Sequence, residues 1–359
     1  MSPPTLYVAI TNHGFGHATR AASVANAVQQ LCPDVLLILA TTAPRWLLES
    51  YISGDFIHRP RTYDVGVIQA DSLNMDLDAT LSKLTEIRDR QDQIIASESE
   101  FLRTNQVDLV FADIPPLAAP IAHAAELPCW MMSNFGWDFI YRDWGEPFAE
   151  IVVWIEHCFG QCDRLFRLPL HESMAAFPKI TDVGLTGGSP RFTDAELRDQ
   201  FQLNRDPDQT ILLTFGGLGL STIPYHNLQA FPDWQFITFD RQAPELPNLV
   251  KIEDRGYRPV DFMPLCGRVI SKPGFSTFSE ALRLERPLVS LLRDGFAETP
   301  LLLNGLRKHG AHQIIPPTAF FDASWDFLYD TPSPPQSTQP LDRQGTEALA
   351  AAIVEQLNS

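Results

Sequence analysis

Short runs of apolar residues alternate with longer amphipathic segments along the first half of the chain. The apolar runs are rich in β-branched residues and have the length of buried parallel strands. Strands are predicted at residues 6–11, 35–40, 107–112 and 128–133, and helices at 18–31, 44–50, 77–105 and 117–125. This alternation of strand and helix predicts a parallel-sheet domain over residues 1–180.

The same alternation begins again after residues 180–191, where glycines and a proline indicate an interdomain connection. Further strands are predicted at residues 210–215, 234–239, 249–252, 269–270 and 287–292. The proline-rich segment 331–340 predicts a loop or linker, and residues 347–357 predict a closing helix. The fold class is therefore α/β, with two Rossmann-like parallel-sheet domains (1–180 and 181–340) facing across a cleft, and a terminal helical segment (341–359).

Residues 269–310 contain a strand, a glycine turn and a helix in close succession. The turn is Lys272-Pro273-Gly274, and the helix that follows has unpaired backbone N–H groups at Ser276 and Thr277. A helix N-terminus binds anions, and Gly274 allows close approach because it has no Cβ. The segment predicts a phosphate or diphosphate site, to which Lys272 adds a charge unless it is simply solvent-exposed.

The turn HGFGHATR (13–20) follows the first strand and opens a helix. Its glycine spacing does not match G-x-G-x-x-G, which disfavours a dinucleotide site. His17 is a candidate general base, since the helix N-terminus favours the neutral imidazole; the alternative is a capping turn with incidental histidines. Asp113, at the end of a strand on the same sheet edge, is the candidate acidic partner, or else an ordinary helix cap.

The remaining candidates also follow predicted strands. His13 with Asn134, Trp137 and Asp138 indicates a polyol- or sugar-binding loop on the acceptor side, although aromatic residues at such spacing are more often core. Gly216 and Gly217 permit close approach to a phosphate or to the facing domain, or form a plain turn. Glu280 and Glu298 are candidates for binding ribose and sugar hydroxyls, or are ordinary acids in the first turns of helices.

Composition limits the partners. A formal net charge of −17 and a pI near 4.8 exclude broad binding to nucleic acid or anionic lipid. The odd number of cysteines indicates no disulfide framework, and Cys158 and Cys162 are expected on a buried apolar face. The chain has no D-x-D pair; Asp206 and Asp208 flank a proline in a loop, so we expect no metal and no cofactor.

The beginning of the chain enters a strand directly, without the basic and apolar regions of a signal peptide. No apolar run reaches the roughly 18 residues of a membrane span. We therefore expect a cytoplasmic protein without a transmembrane segment. A peripheral membrane contact remains open, because Trp144, Phe148 and Trp154 suit either a lipid or aromatic acceptor or the core.

Taken together, these motifs resemble the GT-B glycosyltransferases, in particular the inverting group that uses nucleotide-sugars. A closer resemblance is to the glycosyltransferase-like N-terminal half of plant L-arabinokinases. It is carried, in order, by HGFGHATR (13–20), SNFGWDFIY (133–141), FGG (215–217), GFSTFSEAL (274–282) and RDGFAETPLLLNGL (293–306). No kinase phosphate loop is visible, so phosphoryl transfer to arabinose is not implied.

The resemblance implies a GT-B fold whose last helix crosses back to the first domain, and metal-independent transfer from a nucleotide-sugar, expected to be UDP-linked, to a hydroxyl acceptor. It assigns His17 as base and Asp113 as its partner. It places Gly274, Ser276 and Thr277 at the diphosphate, Glu280 at the ribose and Glu298 at the sugar. Many relatives have Gln after that last acid, where this chain has Thr299. A non-catalytic nucleotide-sugar-binding module and a GT-B sugar-nucleotide epimerase remain alternatives.

Overall fold

The structure is a computed structural model that describes residues 3–69, 75–217, 219–220 and 222–359. Seven parallel strands form its first sheet: β1 (Thr5–Ile10), β2 (Leu36–Ala40), β3 (Ile57–Arg59), β4 (Leu109–Asp113), β5 (Cys129–Ser133), β6 (Arg164–Arg167) and β7 (Ile180–Asp182). They lie in the order β3-β2-β1-β4-β5-β6-β7. Every residue of β1, β4 and β5 is buried, because helices cover both faces of the sheet.

Seven helices connect these strands: α1 (Gly16–Leu31), α2 (Arg45–Glu49), α3 (Leu77–Asp89), α4 (Gln91–Thr104), α5 (Ala118–Ala124), α6 (Trp137–Arg142) and α7 (Ala149–Phe159). The single helix predicted over residues 77–105 is wrong. Arg90 leaves helical geometry, at φ −102° and ψ 7°, and separates α3 from α4. The Gln91 side chain accepts a hydrogen bond from Trp154 Nε1 at 2.9 Å, a contact with α7 that local sequence does not reveal.

The second sheet has six parallel strands: β8 (Thr210–Leu213), β9 (Gln235–Thr238), β10 (Leu249–Lys251), β11 (Arg268–Ser271), β12 (Leu288–Leu291) and β13 (His312–Ile315). Their order is β10-β9-β8-β11-β12-β13. The accompanying helices are α8 (Asp194–Phe201), α9 (Pro259–Phe262), α10 (Phe275–Arg283), α11 (Glu298–His309), α12 (Pro317–Phe321) and α13 (Gly345–Leu357). The predicted α/β class with two parallel sheets is confirmed.

The two halves of the chain pack closely on each other. The first sheet includes β7, so it extends two residues past position 180. Helix α13, near the end of the chain, packs against α1 of the first half. One buried apolar cluster joins both halves and includes Leu6, Val269 and Ile353. The turns that follow β1, β8 and β11 therefore face each other across a narrow cleft.

Several smaller sequence expectations can be compared with the structure. Cys158 and Cys162 are both buried, and Cys162 lies beyond the end of α7. Among the described residues, no group of three or more His, Cys, Asp or Glu side chains is arranged to hold a metal ion. Within the same residues, no helix is both long enough and apolar enough to cross a membrane.

Candidate active site

A pocket lies in the cleft between the two halves. The turn after β1 and the first turn of α1 form one side of it, with His13, Phe15 and His17. The opposite side consists of the turns after β8 and β11 and the loop before α11. The carboxyl ends of parallel strands therefore surround the pocket from both sheets, which is where ligands bind in open α/β sheets.

His17 and Asp113 form a hydrogen-bonded pair at this edge. His17 lies in the first turn of α1, Asp113 ends β4, and Nδ1 of the imidazole is 2.8 Å from Oδ1 of the carboxylate. Asp113 is completely buried, which alone would raise its pKa, but the charges of Arg20 and His17 hold the pKa below the usual aspartate value. An ionised carboxylate on Nδ1 favours the tautomer whose Nε2 is unprotonated and able to accept a proton.

Arg20 is the main site residue that the sequence reasoning missed. Its side chain is only 2% exposed, and its Nε and Nη2 atoms donate to the two oxygens of Asp113, both at 2.6 Å. Nη2 is also 3.0 Å from His17 Nδ1. A signal was present in HGFGHATR, because residues three apart on a helix share a face, so Arg20 had to lie beside His17.

Asn134 connects the two sides of the cleft. Its Oδ1 accepts a hydrogen bond from Arg20 Nη1 at 3.0 Å, and its Nδ2 donates to Glu298 Oε1 at 2.7 Å. Glu298 is the first residue of α11 and lines the pocket. Burial raises the pKa of Glu298, although the Asn134 hydrogen bond and the nearby Arg20 charge act in the opposite direction.

The N-terminus of α10 lies on the opposite side of the pocket. Helix α10 begins at Phe275 with Gly274 as its cap, so the N–H groups of its first turn have no acceptor within the helix. A Cβ on Gly274 would meet no atom within 4 Å, so the space beside this cap residue is open. Thr277 lines the pocket, and the Ser276 hydroxyl donates to the Gly16 carbonyl at 2.8 Å.

Gly216 and Gly217, in the turn after β8, also line the pocket but face different neighbours. A Cβ on Gly217 would lie 2.3 Å from the Phe15 ring, so this backbone presses directly on the first half of the chain. A Cβ on Gly216 would lie 3.7 Å from the Lys272 side chain. Of the two roles considered for these glycines, the structure gives Gly217 the close approach to the facing domain.

Glu280 is not brought to the pocket. It lies on the side of α10 that faces Gly188, whose N–H donates to Glu280 Oε1 at 3.0 Å, and the Tyr51 hydroxyl is 3.5 Å from the same oxygen. Burial raises the pKa of Glu280 to about 7, against the hydrogen bond from Gly188 and the Arg258 charge. In this conformation, contacts with Gly188 and Tyr51 hold the carboxyl expected at the ribose.

Of the predicted acceptor-side residues, only His13 lines the pocket. Trp137 is fully buried behind it, with its ring 5.2 Å from the His13 ring and its Nε1 donating to Thr11. Asp138 is buried near Arg142, at 3.5 Å, and burial raises its pKa to about 6. Burial also lowers the pKa of His13, whose Nδ1 accepts a hydrogen bond from the Val67 N–H.

Comparison with known sequences shows one informative relative. The chain is 31% identical over 311 residues to an L-arabinokinase from Arabidopsis thaliana. The match covers 83% of this chain but only 29% of that protein, so the chain spans less than a third of the relative's length. No protein-family model matches the chain.

Comparison with solved structures identifies the fold. UGT71G1 from Medicago truncatula, solved with UDP-glucose, superposes with a TM-score of 0.60 at 10% identity, covering 99% of both chains. UGT89C1 from Arabidopsis thaliana, solved with UDP, gives 0.57 at 14% identity over 98% of this chain and 90% of that one. A putative UDP-N-acetylglucosamine 2-epimerase from Listeria monocytogenes gives 0.58 at 12%, covering 99% and 97%.

These comparisons confirm the fold expected from the sequence motifs. The structures of UGT71G1 and UGT89C1 contain UDP-glucose and UDP, and their two-domain architecture covers almost all of this chain. The chain is therefore a GT-B-fold protein that resembles nucleotide-sugar glycosyltransferases in structure and plant L-arabinokinase in sequence.

Proposed function

We propose that the protein is an inverting glycosyltransferase that moves a sugar from a nucleotide-sugar, of the UDP-linked class, to a hydroxyl acceptor without a metal ion. The observation that carries the proposal is the pairing of His17 with the buried, ionised Asp113 directly opposite the N-terminus of α10. A base and an anion-binding helix start on facing walls are the two elements that such a transfer requires.

In this reaction His17 Nε2 removes the proton from the acceptor hydroxyl as that oxygen attacks the anomeric carbon. The bond between the anomeric carbon and the diphosphate oxygen breaks on the opposite face, which inverts the configuration at that carbon. The bonding electrons leave with the diphosphate. The imidazolium that forms is stabilised through Nδ1–H by Asp113, 2.8 Å away.

The donor would bind on the other wall. The first-turn N–H groups of α10, around Ser276 and Thr277, would receive the diphosphate, and Lys272 would add a positive charge beside them. Glu298 would accept hydrogen bonds from the sugar hydroxyls. A UDP-linked donor is favoured because UGT71G1 and UGT89C1, which share the fold, were solved with UDP-glucose and UDP.

The test is to incubate the protein with UDP- and GDP-sugars, with and without a panel of hydroxyl acceptors, and to follow both free nucleotide and glycosylated product. Because general base catalysis contributes about 10²–10⁴-fold, His17→Ala should lose that much turnover while retaining donor affinity. His123→Ala is the matched control, since His123 is exposed on α5, and it should behave as the wild type does. Undiminished turnover by His17→Ala would refute the base assignment.

The same experiment separates the alternatives. Release of free sugar and nucleotide in the absence of any acceptor would instead indicate an epimerase-type activity; one structural neighbour is a putative UDP-N-acetylglucosamine 2-epimerase from Listeria monocytogenes. Tight nucleotide binding with no turnover under any condition would indicate a binding module. Transfer to an acceptor with inverted anomeric configuration, read by proton NMR of the product, is the result expected here.

A further inference from the structure

Arg20 occupies the centre of a buried hydrogen-bond network. Its guanidinium makes a two-pronged contact with Asp113 and also donates to Asn134 Oδ1 at 3.0 Å and to Ser133 Oγ at 3.1 Å. Arg20 is 2% exposed, and Asp113, Ser133 and Asn134 are fully buried. A bidentate contact stabilises the negative charge of a carboxylate and also fixes the orientation of its plane. Arg20 therefore determines how Asp113 faces its neighbours.

The Asn134 amide is oriented by this contact. A guanidinium only donates, so the amide must turn its oxygen toward Arg20, and its nitrogen then faces the opposite way. That nitrogen donates to Glu298 Oε1 at 2.7 Å. The guanidinium also lies 5.2 Å from the ring centre of Phe275, the first residue of α10. Arg20 thus contacts the His17–Asp113 pair and the start of α10 directly. It reaches the start of α11 through the Asn134 amide.

We propose that Arg20 is a positioning residue that links the two walls of the site, holding Asp113 for His17 and, through Asn134, holding Glu298 on the donor side. The proposal rests on the transferase function proposed above. It assigns to Arg20 two separable effects. One is the effect of its positive charge on the protonation of His17, and the other is the effect of its geometry on donor binding.

The charge effect has a definite sign. Arg20 Nη2 lies 3.0 Å from His17 Nδ1, so its charge opposes protonation of the imidazole, whereas Asp113 favours it. Among the described residues, His13, Asp64 and Glu298 also interact electrostatically with His17. Removing only the Arg20 charge leaves Asp113 uncompensated, which should move the midpoint of the His17 titration to higher pH.

Arg20→Met tests the charge effect in the full-length chain. We expect the His17 titration midpoint, followed by NMR of the imidazole, and the acid limb of kcat/KM to move up by about one to three pH units, the shift typical of one nearby charge. Arg20→Lys keeps the charge and should move both by less. An unchanged midpoint in Arg20→Met would overturn this half of the proposal.

Arg20→Lys and Asn134→Leu test the geometric effect. Both remove the hydrogen bond from the guanidinium to the Asn134 amide, and both keep a positive charge at position 20. We expect each to weaken UDP-glucose binding, measured by calorimetry, about tenfold, the loss typical of a hydrogen bond to a charged group. Wild-type affinity in both variants would overturn it. Arg90→Met is the matched control, since the Arg90 side chain is 63% exposed and does not line the pocket.

Two features keep the test decisive. If Arg20→Met does not fold, because Asp113 is left as an unpaired buried charge, the pair Asp113→Asn and Arg20→Met/Asp113→Asn replaces it. The double variant should then titrate at a higher pH than the single one, and equal midpoints would refute the charge effect. Titration and donor binding need no turnover, so a wild-type protein that fails to transfer sugar would refute the proposed function without refuting the role of Arg20.

Discussion

Asn134 of the first half of the chain donates a hydrogen bond to Glu298 of the second half, with Nδ2 2.7 Å from Oε1. Both side chains are buried, and burial raises the pKa of Glu298. The contact therefore joins the two walls of the cleft through a carboxyl group whose ionised form is destabilised by burial. Such a group is expected at a functional site, because binding can use a charge that folding alone does not favour.

Glu298→Gln should separate stability from function. Folding raises the pKa of Glu298, so the protein loses stability as the pH increases through that pKa. Above it, the wild type contains a buried carboxylate that destabilises the fold, whereas the variant contains a neutral amide. We expect a higher Tm for Glu298→Gln than for the wild type at pH 8 and about tenfold weaker UDP-glucose binding. Glu355→Gln, at an exposed position of α13, is the control. A lower Tm at pH 8 would contradict the prediction.

Gly274→Ala should weaken donor binding without affecting the fold. Gly274 has an extended φ of −166°, which any residue adopts, and an added Cβ would meet no protein atom within 4 Å. Its methyl group would instead occupy open space at the pocket wall, beside the start of α10. We expect a stability change within about 0.5 kcal/mol and at least about tenfold weaker UDP binding.

The control for this variant is Gly160→Ala. Gly160 follows α7, far from the cleft, and an added Cβ would make only ordinary contacts at 3.4 Å and beyond. It should affect neither property. If UDP binds Gly274→Ala as tightly as it binds the wild type, the diphosphate does not lie at this helix start.

Nine of the thirteen strands in the described residues could be predicted, because the signal of a buried strand is local. The strand that became β5, for example, was predicted with nearly its final bounds, since a buried parallel strand is a short apolar run. The break at Arg90 was not predicted. Beside it, Gln91 accepts a hydrogen bond from Trp154, 63 residues away, a contact that local sequence does not show. Strands β3, β6, β7 and β13 were not predicted either. In β13 (His312–Ile315), only the first and last residues are buried.

The candidate site shows the same division. The strand-end turns place His17 and Asp113 at the edge of the first sheet and the α10 start at the edge of the second, because parallel topology brings the strand ends of each sheet together. The position of Glu280 could not be read from the sequence. Its partners, Tyr51 and Gly188, are 229 and 92 residues away, and only tertiary packing turns the carboxyl toward them.

Gly217→Ala should force the two halves of the chain apart. The Phe15 ring packs directly on the backbone of Gly217, and an added Cβ would lie 2.3 Å from that ring. We expect a loss of about 1–3 kcal/mol in unfolding free energy, as for other overpacked positions. The double variant Phe15→Ala/Gly217→Ala should be more stable than the sum of the single effects predicts, because the clash disappears. Strict additivity in urea unfolding would contradict the contact.

Glu280 should make the stability of the protein depend on pH. Burial raises its folded-state pKa to about 7, from 4.5, so between these values the folded chain binds a proton that the unfolded chain does not. The sign follows directly from linkage. The stabilising contribution is fully present below pH 4.5, and it is lost as the pH increases through 7, by up to about 3 kcal/mol in total.

Glu280→Gln isolates this contribution, because Asp64 and Asp138, whose buried carboxyls have pKa values raised to about 6, remain in both proteins and cancel in the comparison. The neutral amide can still accept the hydrogen bond from Gly188. We expect wild type and variant to have similar unfolding free energies near pH 4.5, and the variant to be more stable at pH 8, measured by urea unfolding at each pH. A difference that stays constant between these two pH values would show that Glu280 is already solvated, and hence that the contact with Gly188 and Tyr51 does not persist in solution.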